Sequence, residues 1–481
     1  MYGIYLDPRS ERSITAQLCS QLRGKIESGE LAEGTRLPAT RRLAAEYGIA
    51  RNVALDAYEQ LIAEGYLIGQ TGSGTYVAGG ILANGCVSED ESEPGDGSPS
   101  AEFPYDDGII DFSTGTPDLR HFPRIRWARY LKEAAEAAPI ERYDYGDIRG
   151  EDELRQEIAS YLLRARGMRC HPDRIFVVSG SADGLALAAR ALRTDYRSVY
   201  LEDPTIELSR HVFEQADYRL LPVEVDESGM KLHELDRLQD GSLMLLTPSH
   251  QFPSGSILSI QRRRRAIWLA EQAGSYLIED DYDGDFRLKG VPIPPLHTLN
   301  PDRVIYVGTF SKTLAPALRL GFLVVPRRLA GRFAALREQW NHRAPSVPQI
   351  ALARMIRDGR LERHIHKMKS VYRNRRTLLV GALHRHFGAG AAIRGDEAGM
   401  HVQAEFVEAP RAVDWAKAVE YGVRVGCVEE YSMVKGRHVR HVLLGYGNVP
   451  DEDVEEGILR LRRFVSDQAI RPEGRNSNVD R

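Results

Sequence analysis

The chain has 481 residues, a net charge of −4, 42% apolar and 27% charged residues, the composition of a soluble globular protein too long for one core, so two domains or more are expected. No run of about 18 apolar residues offers a membrane span, and the N-terminal stretch lacks the apolar centre of a signal peptide. Cys19, Cys86, Cys170 and Cys427 are scattered without a Cys-x-x-Cys pair, which argues against a zinc or disulfide framework and fits a reducing cytoplasm, while the net charge leaves any nucleic-acid partner to be argued locally.

Ile14, Leu18, Leu22 and Ile26 recur at helical spacing and predict a first helix, broken by Gly29 to Gly34. Leu37-Pro38-Ala39-Thr40-Arg41-Arg42-Leu43-Ala44-Ala45-Glu46-Tyr47-Gly48 predicts a second helix, with Thr40 or a neighbour as N-cap and a glycine turn at its end. A third begins at Ile49-Ala50-Arg51-Asn52, with Val53, Ala57 and Leu61 on one face. Two short helices across a glycine turn form a helix-turn-helix, whose second helix can enter a major groove. Tyr66-Leu67-Ile68 and Gly74-Thr75-Tyr76-Val77, joined through Gly72-Ser73, predict a β-hairpin wing. Arg36, Arg41, Arg42 and Arg51 share one stretch in which Glu46 is the only acid.

The Leu37-Pro38-x-x-Arg41-x-Leu43-Ala44, Ala57-Tyr58-x-x-Leu61-x-x-Glu64-Gly65-Tyr66 and Gly72-Ser73-Gly74-Thr75 elements resemble the winged helix-turn-helix of the GntR family over residues 10 to 78. The resemblance implies a double-stranded DNA partner, contacted by Arg41, Arg51, Asn52 and the wing residues Gly72, Ser73, Gly74 and Thr75. It also marks a departure: Ala50 stands where the family opens its recognition helix with Ser or Thr, a cap worth about 1 kcal/mol.

Residues 79 to 107 read as a linker. Ser88 to Ser100 contains no apolar residue and cannot bury surface to offset its ordering entropy. About 27 flexible residues span roughly 30 Å on average and about 90 Å when taut.

Beyond the linker, Val177-Val178-Ser179-Gly180-Ser181-Ala182 reads as a strand, a glycine turn and a helix start, where backbone N–H groups favour phosphate. Arg262 to Arg265 opens a helix and reads as a solvated face. Tyr276-Leu277-Ile278 is an apolar strand ending in Glu279-Asp280-Asp281-Tyr282, and Val304 to Val307 is another, followed by Ser311-Lys312 and Arg319. A lysine at a strand end, an acid near a tyrosine and a nearby arginine are the groups pyridoxal 5'-phosphate needs: Schiff-base lysine, carboxylate for the pyridine nitrogen, cation for the phosphate. His364 and His366 are two apart and face different sides of a helix, so no metal is expected there. His250 has no evident role.

These residues resemble the fold-type I aminotransferases over residues 108 to 466, an α/β pyridoxal-phosphate-dependent transferase fold with a smaller C-terminal α+β subdomain, leaving 467 to 481 as a polar tail. The resemblance implies that Lys312 forms the Schiff base, Asp280 faces the pyridine nitrogen and Tyr282 the ring hydroxyl. Arg319, Ser181, Ala182 and Ser311 would surround the phosphate. Tyr145, in Tyr145-Gly146-Asp147-Ile148-Arg149-Gly150, would reach the phosphate in the second subunit of a homodimer. Arg440, five residues before Gly445, would grip the carboxylate of an amino-acid ligand, with Arg437 the neighbouring alternative. Thr247-Pro248-Ser249-His250-Gln251-Phe252-Pro253-Ser254-Gly255 and Gln349 to Ile356 with Tyr372 to Arg376 are elements of the MocR subfamily of GntR regulators, which the whole chain resembles. Phe252 replaces the asparagine that touches the ring hydroxyl in true aminotransferases, and Thr205-Ile206 replaces the subfamily's Gly-Tyr. The implied function is a cytoplasmic, DNA-binding transcriptional regulator that senses an amino compound, or pyridoxal phosphate itself, at Lys312. The alternative is a working aminotransferase with a DNA-binding appendage.

Overall fold

The computed structural model describes residues 2–7, 10, 12–70, 74–79, 108–290, 293–410 and 413–470. Gly72, Ser73, the linker from residue 80 and the tail beyond residue 470 lie outside them. The chain divides into two compact units, Met1–Tyr105 and Asp106–Arg481.

The first unit is built on α1 (Ile14–Glu27), β1 (Arg36–Leu37), α2 (Thr40–Tyr47), α3 (Arg51–Ala63), β2 (Leu67–Gln70) and β3 (Gly74–Val77). Ser13 caps α1 by accepting from the Ala16 N–H. Leu18 and Leu22 of α1, Leu43 of α2 and Leu61 of α3 are fully buried together, each contributing roughly 1.5–3 kcal/mol relative to exposure. The buried face of α3 carries Ala54, Ala57, Tyr58 and Leu61, with Val53 at its edge. The Tyr58 hydroxyl donates to the Pro38 carbonyl at 2.9 Å, tying α3 to the entry of α2. Gly48 ends α2 in the left-handed conformation, φ 62°, which a side chain would strain. The wing pairs β2 with β3 antiparallel. The short β1, which sequence patterning does not announce, pairs with β3 as a third strand.

The second unit follows with β4 (Ile110–Asp111), α4 (Arg124–Ala137), α5 (Asp152–Arg166), β5 (Ile175–Val178), α6 (Ser181–Leu192), β6 (Ser198–Asp203), α7 (Glu207–Gln215), β7 (Arg219–Asp226), β8 (Gly229–Met230), β9 (Ser242–Leu246), α8 (Ile260–Gln272), β10 (Leu277–Asp281), β11 (Val304–Thr309) and β12 (Gly321–Val324). Then come α9 (Ala330–Trp340), α10 (Ser346–Arg357), α11 (Arg360–Phe387), β13 (Ala391–Arg394), β14 (His401–Phe406), β15 (Val423–Arg424), β16 (Gly426–Cys427), β17 (His441–Gly445) and α12 (Val454–Ile470). Eight strands form one sheet in the order β5-β12-β11-β10-β9-β6-β7-β8. β11, β10, β9, β6 and β7 run parallel, whereas β12 is antiparallel to both of its neighbours. Every residue of β5, β6, β9, β10, β11 and β12 is buried, as expected of strands covered on both faces. The C-terminal subdomain is an antiparallel sheet, β13-β14-β17-β16, backed by apolar residues of α11 and α12. α12 runs past the expected domain end at residue 466.

Of the arginine run on α8 only Arg264 is exposed. Arg263 is 3% exposed and donates to the carbonyls of Leu258, Pro294 and Pro248. Arg262 is paired with Asp226, and Arg265 lies over the Trp268 ring. Arg263 thus ties the loops carrying these carbonyls to α8. No helix among the described residues is long and apolar enough to cross a membrane.

Candidate cofactor pocket and DNA-facing helix

In an open α/β sheet the carboxyl ends of the parallel strands meet in one crevice, where ligands bind. Here those ends deliver Asp280 from β10, Lys312 from the turn after β11, and Ser181-Ala182 at the start of α6; they line a cavity of about 310 Å³ together with Tyr282. Asp280 and Asp281 are adjacent on a strand, so they point to opposite faces. On its side the Asp281 Oδ2 pairs with Arg166 at 2.6 Å and accepts from the Tyr306 hydroxyl at 2.7 Å. Asp280 faces the cavity, 3% exposed, and its Oδ1 has no hydrogen-bond partner. Burial, then the Asp281 charge, pushes its carboxyl up to about 7.

Lys312 donates to the Gly115 carbonyl across the cavity. Burial lowers its pKa, opposed by Asp283 and Asp280, which raises the fraction of free amine available for condensation. Gly180, at φ 115°, turns the chain from β5 into α6 and leaves the helix N-terminus without a side-chain cap. A Cβ on Gly180 would meet both terminal nitrogens of the Arg319 guanidinium at 3.4 Å. Uncapped helix N–H groups beside an arginine make an anion site. Ser311 is held nearby, its N–H donating to the Thr309 hydroxyl.

The residues present therefore fit pyridoxal phosphate. The orphaned Asp280 oxygen suits a protonated ring nitrogen, the α6 turn with Arg319 suits the phosphate, and the amine of Lys312 lies between. Of the expected residues, Ser311, Arg319, Tyr145 and Arg440 are not among those lining this cavity. Tyr145 is 72% exposed, with the Arg343 guanidinium 5.7 Å from its ring centre. Arg440 stands in the turn before β17, outside the lining. β14 and β17 pair with His401 opposite Gly445 and Glu405 opposite His441, so Arg440 lies about 17 Å along the strand direction from the His401 end. Within β17, Val442 and Leu444 pack into the subdomain core. The opposite side, toward the cavity, belongs to Leu443, which packs with Phe252.

Sequence patterning missed several wall residues. His250, in a motif without an assigned role, shares its Nδ1 with the Asp283 carboxylate at 2.9 Å and the Tyr282 hydroxyl at 3.2 Å. His401 lines the cavity beside it, ring centres 4.9 Å apart; burial drives its pKa down to about 3, so it is neutral. The donor atoms of His250, Asp283 and His401 lie within 4.8 Å of one another. No local spacing signals this trio, because its members come from three distant segments.

In the first unit, Arg41, Arg51 and Asn52 are exposed, and among the described residues no carboxylate pairs with either arginine. Neither α2 nor α3 has a side-chain cap: Ala39 and Ala50 occupy those positions and Thr40 is the first helical residue. Of the expected wing contacts, Gly74 and Thr75 lie on β3. The Arg36 guanidinium runs past Gly74, its Nε 3.1 Å from where a Cβ would stand.

Residues 14–77 match the family of bacterial regulatory proteins, gntR family, and residues 107–442 match aminotransferase class I and II. The chain is 33% identical over 472 residues to the probable rhizopine catabolism regulatory protein MocR of Rhizobium meliloti, covering 95% of both chains. It is 33% identical over 380 residues to the pyridoxine biosynthesis transcriptional regulator PdxR of Corynebacterium glutamicum, covering 79% of this chain and 81% of that one. Among solved structures, the kynurenine aminotransferase of Pyrococcus horikoshii, in complex with PMP, aligns at a TM-score of 0.67 and 25% identity, over 76% of this chain and 92% of that one. With a GntR-type helix-turn-helix followed by an aminotransferase-fold domain whose pocket fits pyridoxal 5'-phosphate, the chain belongs to the MocR subfamily of GntR regulators.

Proposed function

We propose that this protein is a cytoplasmic transcriptional regulator that binds double-stranded DNA through α3 and its wing and answers to an amino compound at the Lys312 pocket. The observation that carries the reading is the joining, in one chain, of exposed arginines on the two helices of a GntR-type helix-turn-helix with a pocket that keeps both Lys312 and an Asp280 whose Oδ1 has no hydrogen-bond partner. When bound, pyridoxal phosphate supplies an aldehyde that condenses reversibly with amines and a protonated ring that withdraws electrons from it. The chain's own groups do the rest. Asp280 holds the ring proton, the α6 turn and Arg319 anchor the phosphate, and Lys312 offers an amine that an incoming amine can replace. The His250 Nδ1–H, oriented by Asp283, is shared with the Tyr282 oxygen, which frees the Tyr282 proton to be donated into the pocket.

The exposed Tyr145, with Ile125, Ile140 and Tyr143 also exposed near it in sequence, supports a homodimer in which Tyr145 completes the neighbour's phosphate site. Ligand exchange then alters DNA binding only through different affinities for two arrangements of the protein. Electrophoretic binding to the DNA flanking its own coding region, with and without pyridoxal phosphate and amines, tests the reading. Turnover of amino donors with keto acids and no response of DNA binding would favour an enzyme with a DNA-binding appendage.

A further inference from the structure

The wall of the pocket facing Lys312 is apolar. Phe252, Val428 and Leu443 form a buried cluster, and Ile206, Tyr282 and Tyr431 pack against it. Phe252 meets the Tyr431 ring edge-on at 4.9 Å. The loop carrying Tyr431 is pinned, because the Met433 and Val434 N–H groups donate to the Asp203 carboxylate at 2.7 and 3.0 Å. The Thr205 N–H also donates to the Tyr431 carbonyl. This wall is therefore set before any ligand arrives.

Charge in the pocket is one-sided. Asp280, Asp283 and Glu207 line it, and among the described residues Lys312 is the lining cation. His401 is neutral, and Arg319, beside Gly180, is not among the lining residues. Lys312 is itself consumed in forming the cofactor bond. A ligand carboxylate placed against Leu443 and Phe252 would be desolvated with no cation to pair it, while the nearby carboxylates repel it. Leu443 of β17 packs against the lining residue Phe252, and Arg440, in the turn before β17, is not among the lining residues.

We propose that the effector is a primary amine without a carboxylate, its body resting on the Ile206–Phe252–Tyr431 wall. This rests on the reading that the Lys312 pocket answers to amines. The test uses the full-length protein loaded with pyridoxal phosphate and pairs of compounds that differ by one carboxylate: phenethylamine and phenylalanine, ethanolamine and serine, cadaverine and lysine. The half-saturating concentration is read from the cofactor absorbance and divided by that of the same compound with free pyridoxal phosphate, which removes intrinsic amine reactivity. The amine of at least one pair should win by roughly ten-fold or more, the scale of one missing charge-assisted hydrogen bond, and Arg440→Ala should leave that ratio unchanged. Amino acids binding as tightly as their amines, or Arg440→Ala selectively weakening the acids, would overturn the proposal and restore a carboxylate clamp. No response to any compound would instead overturn the amine-sensing reading on which it rests.

Discussion

Replacing Asp280 by asparagine is expected to act with opposite signs on the protein without and with pyridoxal phosphate. Without it, the Asp280 carboxyl is raised from 3.8 to about 7, chiefly by burial, and its Oδ1 has no partner. At pH 8 the carboxyl is ionised, and burying that charge is costly, so an uncharged isostere should stabilise the apoprotein by on the order of 1 kcal/mol. The pH dependence follows from the raised value. Between about pH 4 and about pH 7 the folded state holds a proton that the unfolded state has released, so apoprotein stability falls as pH rises through that window. Asp280→Asn should lack this share of the fall, while Glu202 and Glu279, also raised to about 7, keep theirs. With the cofactor bound, the carboxylate gains the ring N–H in a charge-assisted hydrogen bond worth about 1.5–3 kcal/mol. Losing it should weaken cofactor affinity by roughly ten- to a hundred-fold. Thermal unfolding of apo- and holoprotein at pH 5.5 and pH 8, with an absorbance titration of the cofactor, reads both signs. Unchanged cofactor affinity, or an apo variant less stable than wild type at pH 8, would refute the role given to Asp280.

Lys312→Ala should abolish the near-visible absorbance of the bound cofactor while leaving the circular dichroism of the protein intact; a retained spectrum would remove the Schiff-base assignment. Arg51→Ala should relax operator specificity, a base-reading arginine being worth about 1–3 kcal/mol of discrimination, whereas loss of a phosphate contact lowers affinity for all sequences and reduces the salt dependence; operator binding like wild type in both Arg41→Ala and Arg51→Ala would end the winged-helix reading. Tyr145→Phe should weaken cofactor binding in a homodimer without changing its sedimentation, and monomers with full cofactor affinity would contradict a site shared between subunits. Ala50→Ser should add an N-cap to α3 and stabilise the first unit by about 1 kcal/mol, measured by its thermal midpoint.

Local patterning carried much of this protein. The helical spacing of Ile14, Leu18, Leu22 and Ile26, the glycine turn at Gly48 and the hairpin at the wing are short-range signals, because caps, turns and amphipathic periods are set by neighbouring residues. The strand ends bearing Asp280 and Lys312 were legible for the same reason: a buried parallel strand is a continuous apolar run, and functional groups follow where it stops. Side-chain direction across a strand and the meeting of distant segments were not legible. A count of five from Gly445 put Arg440 at the ligand, but it stands in the turn before β17 and outside the cavity lining, and only the folded strand shows Val442 and Leu444 in the subdomain core and Leu443 against Phe252. Arg262 to Arg265 looked solvated until the loops whose carbonyls they bind were folded around α8. His250, Asp283 and His401 come together from three distant segments, which no local spacing announces. The sequence by itself determined which elements form and which chemistry the chain can hold; the tertiary structure decided which charges share the pocket, because register and burial, unlike period and cap, depend on residues far away along the chain.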